Sequence, residues 1–247
     1  MNLILDLGNS VQKLAVFDND NIIFLESKGK LGVGFVQSVF EKFQINASII
    51  ATVAQYDAEL ESILLQRKNG LTLSPLTPVP IINKYSTPQT LGNDRLASAV
   101  GSNWLWPGKN VLSIDAGTCI KYDFINSENE YCGGAISPGL SMRLKAMHNF
   151  TARLPLINPL SLTNYTPVNL IGDSTNLSML SGTYNGALSE VEGMIDKYSS
   201  QYSNLTVVIT GGDGHFFELH VKRQIFARPN LVLEGLNRIL NFNLNKN

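Results

Sequence analysis

Apolar runs of two lengths alternate along the chain with polar, glycine-containing segments. Short runs such as Leu3–Leu5 and Val111–Ile114 have the composition of strands that are buried on both faces. Longer segments such as Phe35–Phe43 and Asn230–Asn243 repeat apolar residues at helical spacing. The pattern therefore predicts a mixed α/β protein.

The predicted elements occur in the same order in both halves of the chain. After the first strand come strands Val11–Asp18 and Asn21–Glu26, helix Phe35–Phe43, strand Ser48–Val53 and helix Asp57–Arg67. A break at Pro107-Gly108 precedes the second half, which again opens with three strands and a helix. These four elements are predicted at Val111–Ala116, Cys119–Ile125, Glu130–Ile136 and Leu140–Phe150. The recurrence predicts an internal duplication, with domains at 1–109 and 110–247.

Each half begins with a strand that ends in an aspartate and a glycine turn. Asp6 and Gly8 occupy this place in the first half, and Asp115 and Gly117 occupy it in the second. Glycine lets a ligand approach the backbone closely, and successive turn amides form an anion-binding nest. Further hydrogen-bonding or charged side chains come from Asn9, Ser10, Lys13 and Thr118. One such turn is most often only a turn, but two copies that open two half-chains favour a site for a polyphosphate and its metal ion.

The segment Tyr85–Arg95 is polar, lacks periodicity and ends where a helix begins. Asn93 or Asp94 could cap that helix through its side chain. Asp94 could instead accept a proton from a substrate hydroxyl group, as a general base. From the residues alone the capping role is favoured by about two to one, because it is the commoner role of such an aspartate.

Two glycine-rich segments and one helix start have both a structural and a functional interpretation. Gly133–Gly139 and Gly211–Gly214 are either tight connections after strands or surfaces on which a ligand lies, and both alternatives are equally favoured. Ser174 or Thr175 either caps the long helix that follows or faces a polar substrate.

Composition and charge narrow the classes of function. The 247 residues are 44% hydrophobic and 16% charged, which is typical of a globular protein with a sizeable core. A formal net charge of −1 gives no general attraction to nucleic acid or to anionic membranes. No signal peptide or membrane-spanning run is recognisable, so a cytoplasmic protein is expected. Cys119 and Cys132 are too few for a disulfide framework; they could meet across a hairpin, but two buried free thiols are favoured by about four to one.

Six motifs together resemble a known family. They are DLGNSVQK, GNDR, DAGTCIKYD, GGAISPG, GDST and TGGDG, in this order and nearly from end to end of the chain. In combination they resemble the type III pantothenate kinases, which belong to the superfamily of acetate and sugar kinases, heat-shock chaperones and actin. The resemblance implies two duplicated ribonuclease-H-like domains with the nucleotide cleft between them. It also implies a homodimer whose substrate pocket lies at the subunit interface.

The resemblance further assigns roles to individual residues. Asp94 is implied as the general base, Asp115 as the ligand of a monovalent cation (K⁺ or ammonium), and Asp6 as a ligand of Mg²⁺ through water. The residues implied to bind ATP and its phosphates are Asp6, Gly8, Asn9, Ser10, Lys13 and Thr118. The residues implied to contact pantothenate are Tyr85, Gly92, Asn93, Asp94, Arg95 and Thr175. Asn93 departs from the small residue that many relatives carry there.

The function implied by the resemblance is ATP-dependent phosphorylation of pantothenate, the first step of coenzyme A biosynthesis. Within the same superfamily, the alternative is a kinase of another small molecule, such as a sugar or a carboxylate. From a different class, the alternative is a catalytically silent nucleotide-binding protein that assists transcription. The presence of Asp6, Lys13 and Asp94 and the lack of a basic face argue against that second alternative.

Overall fold

The computed structural model describes residues 1–52, 58–159 and 168–245. Its strands are β1 (Asn2–Leu7), β2 (Gln12–Asp18), β3 (Asn21–Lys28), β4 (Ala47–Thr52), β5 (Gly70–Thr72), β6 (Ile82–Asn83), β7 (Val111–Ala116), β8 (Cys119–Ile125), β9 (Glu130–Pro138), β10 (Thr206–Thr210) and β11 (Phe226–Ala227). Its α-helices are α1 (Val33–Lys42), α2 (Ala58–Leu65), α3 (Asn93–Leu105), α4 (Leu140–Asn149), α5 (Thr175–Gln201), α6 (Gly214–His220) and α7 (Leu231–Leu244). The predicted order of three strands and a helix is confirmed in both halves.

The chain forms two compact units. One unit comprises Met1–Gly108, Ile125–Gly133 and Asn230–Asn247, and the other comprises Lys109–Phe124 and Gly134–Pro229. The chain first passes from one unit to the other after Gly108, one residue before the end of the predicted first domain. The units differ from the predicted domains in two places, because a short hairpin segment and the last helix belong to the first unit.

The first unit is built on a five-stranded sheet of order β3-β2-β1-β4-β5. β1 is antiparallel to β2 and parallel to β4, so it lies at the centre of the sheet. Alternate side chains of β1, among them Leu3, Leu5 and Leu7, pack in a core with helices α1 and α2. On the same unit, α7 contacts β1, β4 and α3. Burial on both faces explains why the centre of β1, Leu3–Leu5, is an unbroken apolar run.

Helix α7 joins the first unit although it lies at the end of the chain. The Asn2 side chain donates hydrogen bonds to Oδ1 of Asn237 and to Oδ1 of Asn241, both at 2.8 Å. Gly235 lies so close to α3 that a Cβ atom there would be 1.9 Å from the carbonyl oxygen of Ala97. Hydrogen bonds and close helix packing therefore fix this helix, and hydrophobic periodicity alone does not reveal its partner.

The second unit contains neighbouring strands in the order β11-β10-β7-β8-β9. β7 is parallel to β10, with Asp115 opposite Thr210 at the carboxyl ends of the two strands. Alternate residues of β7 and β8 pack with helices α4, α5 and α6 in one core. The apolar positions of α5 lie in this core, including Met179, Val191 and Ile195. The apolar face of α5 is therefore buried within its own unit.

Candidate active site

Asp6 and Lys13 lie directly opposite each other on β1 and β2. Directly opposed residues of an antiparallel pair project from the same face of the sheet. Both side chains are half-buried, and Asp6 lies one residue before the end of β1. Ligands of α/β sheets bind beyond the carboxyl ends of such strands, so this acid–base pair stands where a phosphate group and its cation are expected.

The turn after Asp6 requires glycine. A Cβ atom on Gly8 would lie 2.8 Å from the carbonyl oxygen of Val11, a distance that side chains do not tolerate. Asn9 and Ser10, at the tip of the turn, are exposed. The tight turn therefore presents two polar side chains to solvent, at the place where the sequence predicts a phosphate-binding site.

Helix α3 presents Asp94 in its first turn. Asp94 Oδ1 accepts a hydrogen bond from the backbone amide of Arg95 at 2.8 Å, which fixes the orientation of the carboxylate. A Cβ atom on residue 92 would lie 2.6 Å from this same oxygen, so Gly92 leaves the space that the carboxylate occupies. Neither Asn93 nor Asp94 is the N-cap residue. That position belongs to Gly92, and the predicted capping role is wrong.

Asn93 has a structural role beside Asp94. Its side-chain amide donates hydrogen bonds to the carbonyl oxygens of Thr52 and Leu73, both at 3.1 Å. Thr52 ends β4 and Leu73 follows β5, so one side chain ties the start of α3 to the ends of two sheet strands. A small residue could not make these bonds. The departure of Asn93 from the usual small residue is therefore compatible with the function of the neighbouring aspartate.

Arg95, the residue after Asp94, forms a cation–π contact with Tyr85. The Arg95 side chain is 5% exposed, and its guanidinium carbon lies 5.5 Å from the centre of the Tyr85 ring. The Tyr85 ring stacks on Tyr131 with a centroid separation of 6.1 Å. Gly133 has a φ of +98°, and a Cβ atom there would lie 3.2 Å from Tyr85 Cδ2. The structure thus brings together two predicted substrate residues and the start of the Gly133–Gly139 segment.

The pairing of β6 with β9 explains this assembly. The amides of Ile82 and Lys84 donate hydrogen bonds to the carbonyl oxygens of Asn129 and Tyr131, at 2.9 and 3.0 Å. This short parallel ladder places Tyr85 beside Tyr131. Our sequence analysis missed the contact of Tyr131 with Tyr85, because nothing in the local pattern shows that the segments of β6 and β9 pair.

In the second unit, two glycines pack against the turn that follows Asp115. A Cβ atom on Gly139 would lie 2.2 Å from the carbonyl oxygen of Gly117, and one on Gly211 would lie 2.3 Å from that of Ala116. The Gly211 Cβ atom would also approach Asp115 Oδ1 to 2.5 Å. The segments GGAISPG and TGGDG therefore close around the Asp115 turn. Their glycines are needed for close backbone packing, whatever ligand they also meet.

Asp115 is engaged by a lysine from the next strand. Lys121 Nζ lies 2.6 Å from Asp115 Oδ2, and the two side chains are only 16% and 13% exposed. Our sequence analysis missed Lys121. A signal existed in the sequence, since each Asp-x-Gly turn is followed by a lysine on the returning strand, at Lys13 and at Lys121. Thr118, on the same turn, is exposed.

Asp213, in the TGGDG segment, has an altered acidity. Burial raises the pKa of its carboxyl group to about 6. Its backbone amide donates a hydrogen bond to the carbonyl oxygen of Ala116 at 2.8 Å, which holds the segment against the Asp115 turn. The group thus titrates nearer to neutral pH than an ordinary aspartate does.

Thr175 begins helix α5 and is exposed. The N-cap residue of this helix is Ser174, whose hydroxyl oxygen accepts a hydrogen bond from the Leu177 amide at 3.4 Å. Thr175 therefore does not cap the helix, and its side chain lines an open depression of about 690 Å³. The other described residues of this lining are Met147, Leu154, Gly172, Asp173, Ser174, Ser178 and Met179.

Among the described residues, no group of three or more His, Cys, Asp or Glu side chains is arranged to hold a metal ion. Mg²⁺ in nucleotide sites is held chiefly by phosphate oxygens and water, with one or two carboxylates. A half-buried Asp6 beside the glycine turn fits that limited role.

Comparison with known proteins identifies related sequences and folds. The sequence profile of the family described as type III pantothenate kinase matches residues 2–197. Proteins named type III pantothenate kinase from Christiangramia forsetii and Bacteroides fragilis are 45% and 42% identical to this chain, with 98% of this chain covered in each case. The alignments span 99% and 98% of those two proteins.

Solved structures agree on the fold. A chain from Campylobacter jejuni, described as a conserved Baf family transcriptional activator, superposes with a TM-score of 0.61 at 21% identity, covering 98% of this chain and 99% of its own. A ROK family glucokinase from Streptomyces griseus gives a TM-score of 0.52 at 12% identity, covering 98% of both chains. At these identities the likeness concerns architecture alone. It confirms the predicted fold of duplicated ribonuclease-H-like domains.

Proposed function

Since the chain belongs to the type III pantothenate kinase family, we propose that it transfers the γ-phosphoryl group of ATP to the primary hydroxyl group of pantothenate. The product, 4′-phosphopantothenate, is the first intermediate on the route to coenzyme A. The observation that carries the proposal is the full-length match to relatives of this name at 45% and 42% identity. The orientation of Asp94 and the contact between Tyr85 and Arg95 support it.

Asp94 is proposed as the general base. Its Oδ1 is held by the Arg95 amide, and the space beside it is kept by Gly92. A carboxylate fixed in this way can orient the attacking hydroxyl group and take its proton as the phosphorus–oxygen bond forms. Phosphoryl transfer passes through a loose transition state, so positioning matters more than strong basicity.

Arg95 and Tyr85 are proposed to bind pantothenate. The substrate carries a carboxylate, and a guanidinium group recognises a carboxylate with two parallel hydrogen bonds. Arg95 is 5% exposed and held above the Tyr85 ring, so the fork is already oriented before the substrate arrives. Asn93 would act on this site indirectly, since its side chain holds the start of α3. Thr175, exposed at the start of α5, is proposed as a further substrate contact.

The Asp6–Lys13 segment and Thr118 are proposed to bind ATP. Amides of the Gly8 turn and the Asn9 and Ser10 side chains would donate hydrogen bonds to phosphate oxygens, while Lys13 supplies a positive charge. Asp6 would hold Mg²⁺ through water; the ion, when bound, neutralises charge on the phosphates. The resemblance also implies a monovalent cation at Asp115, a carboxylate that Lys121 already contacts.

A homodimer is proposed as the active assembly. The second unit exposes large apolar side chains on and near the segment that carries Thr175. Phe150, Leu170 and Ile171 are 88%, 81% and 83% exposed, and Leu156 is 61% exposed. Exposed apolar side chains on these two parts of the unit are typical of an interaction surface. Burial of this surface against a second copy would place Thr175 at a subunit interface.

A cytoplasmic location stays a prediction. No helix in the described part of the chain has the length and hydrophobicity to cross a bilayer.

The deciding experiment is an incubation with ATP, Mg²⁺, K⁺ and pantothenate, followed by mass spectrometry of the products. We expect 4′-phosphopantothenate and ADP in equal amounts. A panel of sugars and short carboxylates, assayed in parallel, distinguishes pantothenate from other acceptors. Turnover of a sugar with no turnover of pantothenate would favour the other kinase class. ATP binding without turnover of any acceptor would favour the regulatory alternative.

A further inference from the structure

The contact between Lys121 and Asp115 bears on the monovalent cation. The ammonium group lies 2.6 Å from Asp115 Oδ2, and both side chains are largely shielded from solvent. This carboxylate is the one at which the family resemblance implies K⁺ or ammonium. One of its two oxygens therefore already has a positively charged partner that belongs to the chain.

Strand geometry makes this contact a consistent part of the fold. β7 and β8 are neighbours in the sheet. Leu112, Ile114 and Ala116 of β7 and Ile120 and Tyr122 of β8 face the core. Because side chains alternate along a strand, Asp115 and Lys121 lie on the opposite face, where they meet.

The other oxygen of Asp115 lies beside Gly211, where an added Cβ atom would be only 2.5 Å from Asp115 Oδ1. A cation on Asp115 would also lie within about 4–5 Å of the lysine ammonium group, and like charges repel strongly at that distance when solvent is excluded. The residues present do not fit a resident monovalent cation.

Lys121 carries the same charge as the K⁺ or ammonium ion that the resemblance implies. Its ammonium group is a compact single positive charge with three hydrogen-bond donors. It is attached to the chain, so it is present at every salt concentration. The first half of the chain has a similar arrangement, since Asp6 faces Lys13 across the corresponding pair of strands.

We propose that Lys121 supplies within the chain the positive charge that the resemblance assigns to K⁺ or ammonium, so that this protein works without an added monovalent cation. Lys121 is then a positioning residue. It neutralises Asp115 and holds the carboxylate, and with it the adjoining turn Ala116–Thr118, in the geometry needed for ATP. The inference rests on the proposed kinase function and specifies how its second aspartate turn is supported.

The first test compares salts on the unchanged protein. Turnover of pantothenate is measured in potassium chloride, ammonium chloride and choline chloride at equal ionic strength. We expect rates within about twofold of one another, because the charge at Asp115 is built in. A rate in choline chloride that is lower by about tenfold or more would overturn the inference, since it would show that an ion binds although Lys121 is present.

The second test removes the ammonium group with Lys121→Met, which keeps an unbranched side chain of similar length. In choline chloride we expect turnover to fall by about tenfold or more, because a shielded carboxylate loses its partner. Potassium or ammonium chloride should restore much of the lost turnover. If the role of Lys121 were purely structural, neither salt would restore it. Lys28→Met is the matched control, because Lys28 pairs with Glu26 at 3.7 Å on an exposed strand. Its turnover should be unchanged in every salt.

A measurement that needs no pantothenate separates the inference about Lys121 from the proposed kinase function. Thermal unfolding is followed in the same three salts without substrate. The unchanged protein should have one midpoint in all of them, whereas Lys121→Met should be stabilised by K⁺ or ammonium relative to choline. If no acceptor is phosphorylated but this pattern holds, the kinase proposal fails and the inference about Asp115 stands. Stabilisation of the unchanged protein by K⁺ would overturn the inference. This outcome does not depend on whether the Lys121→Met variant folds.

Discussion

At the scale of single residues, neighbouring groups determine how the Asp94 carboxylate is oriented. A helix start by itself favours a capping role, but the N-cap residue is Gly92, and Asp94 is oriented by the Arg95 amide at 2.8 Å. The structure therefore removes the capping alternative without testing the catalytic one. What remains is a fixed carboxylate beside an arginine, an arrangement suited to a base that must also be positioned.

Asp94→Asn tests the catalytic role. Asparagine keeps an oxygen that can accept the Arg95 amide bond, so the helix start should be preserved. It cannot accept the proton, so turnover should fall by about 10²–10⁴-fold, the usual contribution of a general base. ATP affinity, measured by calorimetry, should change little. Turnover close to that of the unchanged protein would exclude Asp94 as the base.

Asp213 gives the residue-scale prediction for pH. Burial raises the pKa of its carboxyl group to about 6, whereas the unfolded chain has a value near 3.9. The folded state therefore binds more protons between these values, and stability falls as pH rises from about 4 to about 6. Asp213→Asn removes this loss. The variant should gain about 1–3 kcal/mol in the free energy of unfolding above pH 7 and nothing below pH 4.

Urea unfolding at a series of pH values measures this difference. Asp196→Asn is the control of opposite sign, because a hydrogen bond from Arg223 lowers the pKa of the Asp196 carboxyl group. That exposed group stabilises the fold above the unfolded pKa, and the contribution is lost as pH falls. A difference between Asp213→Asn and the unchanged protein that does not vary with pH would contradict the assignment.

At the scale of elements, the crossing of α3 and α7 depends on two glycines. A Cβ atom on Gly235 would lie 1.9 Å from the Ala97 carbonyl oxygen, and one on Gly101 would lie 2.7 Å from that of Leu231. Each clash is with backbone atoms, so a side-chain rotation cannot relieve it. The last helix can approach the first unit only because both positions lack a side chain.

Gly235→Ala should therefore destabilise the protein although alanine favours helix formation. Overpacking of a tight contact costs about 1–3 kcal/mol, which exceeds the helix-propensity gain of about 1 kcal/mol. Gly186→Ala is the matched control, because this glycine lies in helix α5 with no atom within 4 Å of its Cβ position. The control should be neutral or slightly stabilising in denaturant unfolding. Equal effects of the two substitutions would contradict the close-packing argument.

At the scale of the whole molecule, the prediction concerns assembly. Ile171 is 83% exposed in the single chain, so Ile171→Glu should cost the folded chain less than about 0.5 kcal/mol. If this surface forms the dimer, a buried charge should nevertheless dissociate it. Size-exclusion chromatography with light scattering should then report a monomer, and pantothenate turnover should fall. Leu76→Glu, at a leucine that is 92% exposed in the first unit, is the control and should remain dimeric. A dimeric Ile171→Glu protein would exclude this surface.

Architecture was largely predictable because it follows from local patterns. Apolar runs ending at Asp6 and Asp115, the helical periodicity of α1 and the repeated order of elements lie within short segments of sequence. The position of α7 was not predictable in this way. Its apolar stripe shows that it must pack, but the choice of partner depends on Gly235 meeting Ala97, more than a hundred residues away in the sequence.

The sequence by itself determined the fold class, the family and the places of both aspartate turns, because these depend on local periodicity and on motifs that act together. The tertiary structure alone decided what each aspartate touches. Strand alternation brought Lys121 to Asp115, and the pairing of β6 with β9 brought Tyr85 to Tyr131. Such contacts depend on register and on chain segments that are distant in sequence, and the composition of either segment does not encode them. Asp115, which the resemblance implies as a cation ligand, contacts Lys121 in the structure.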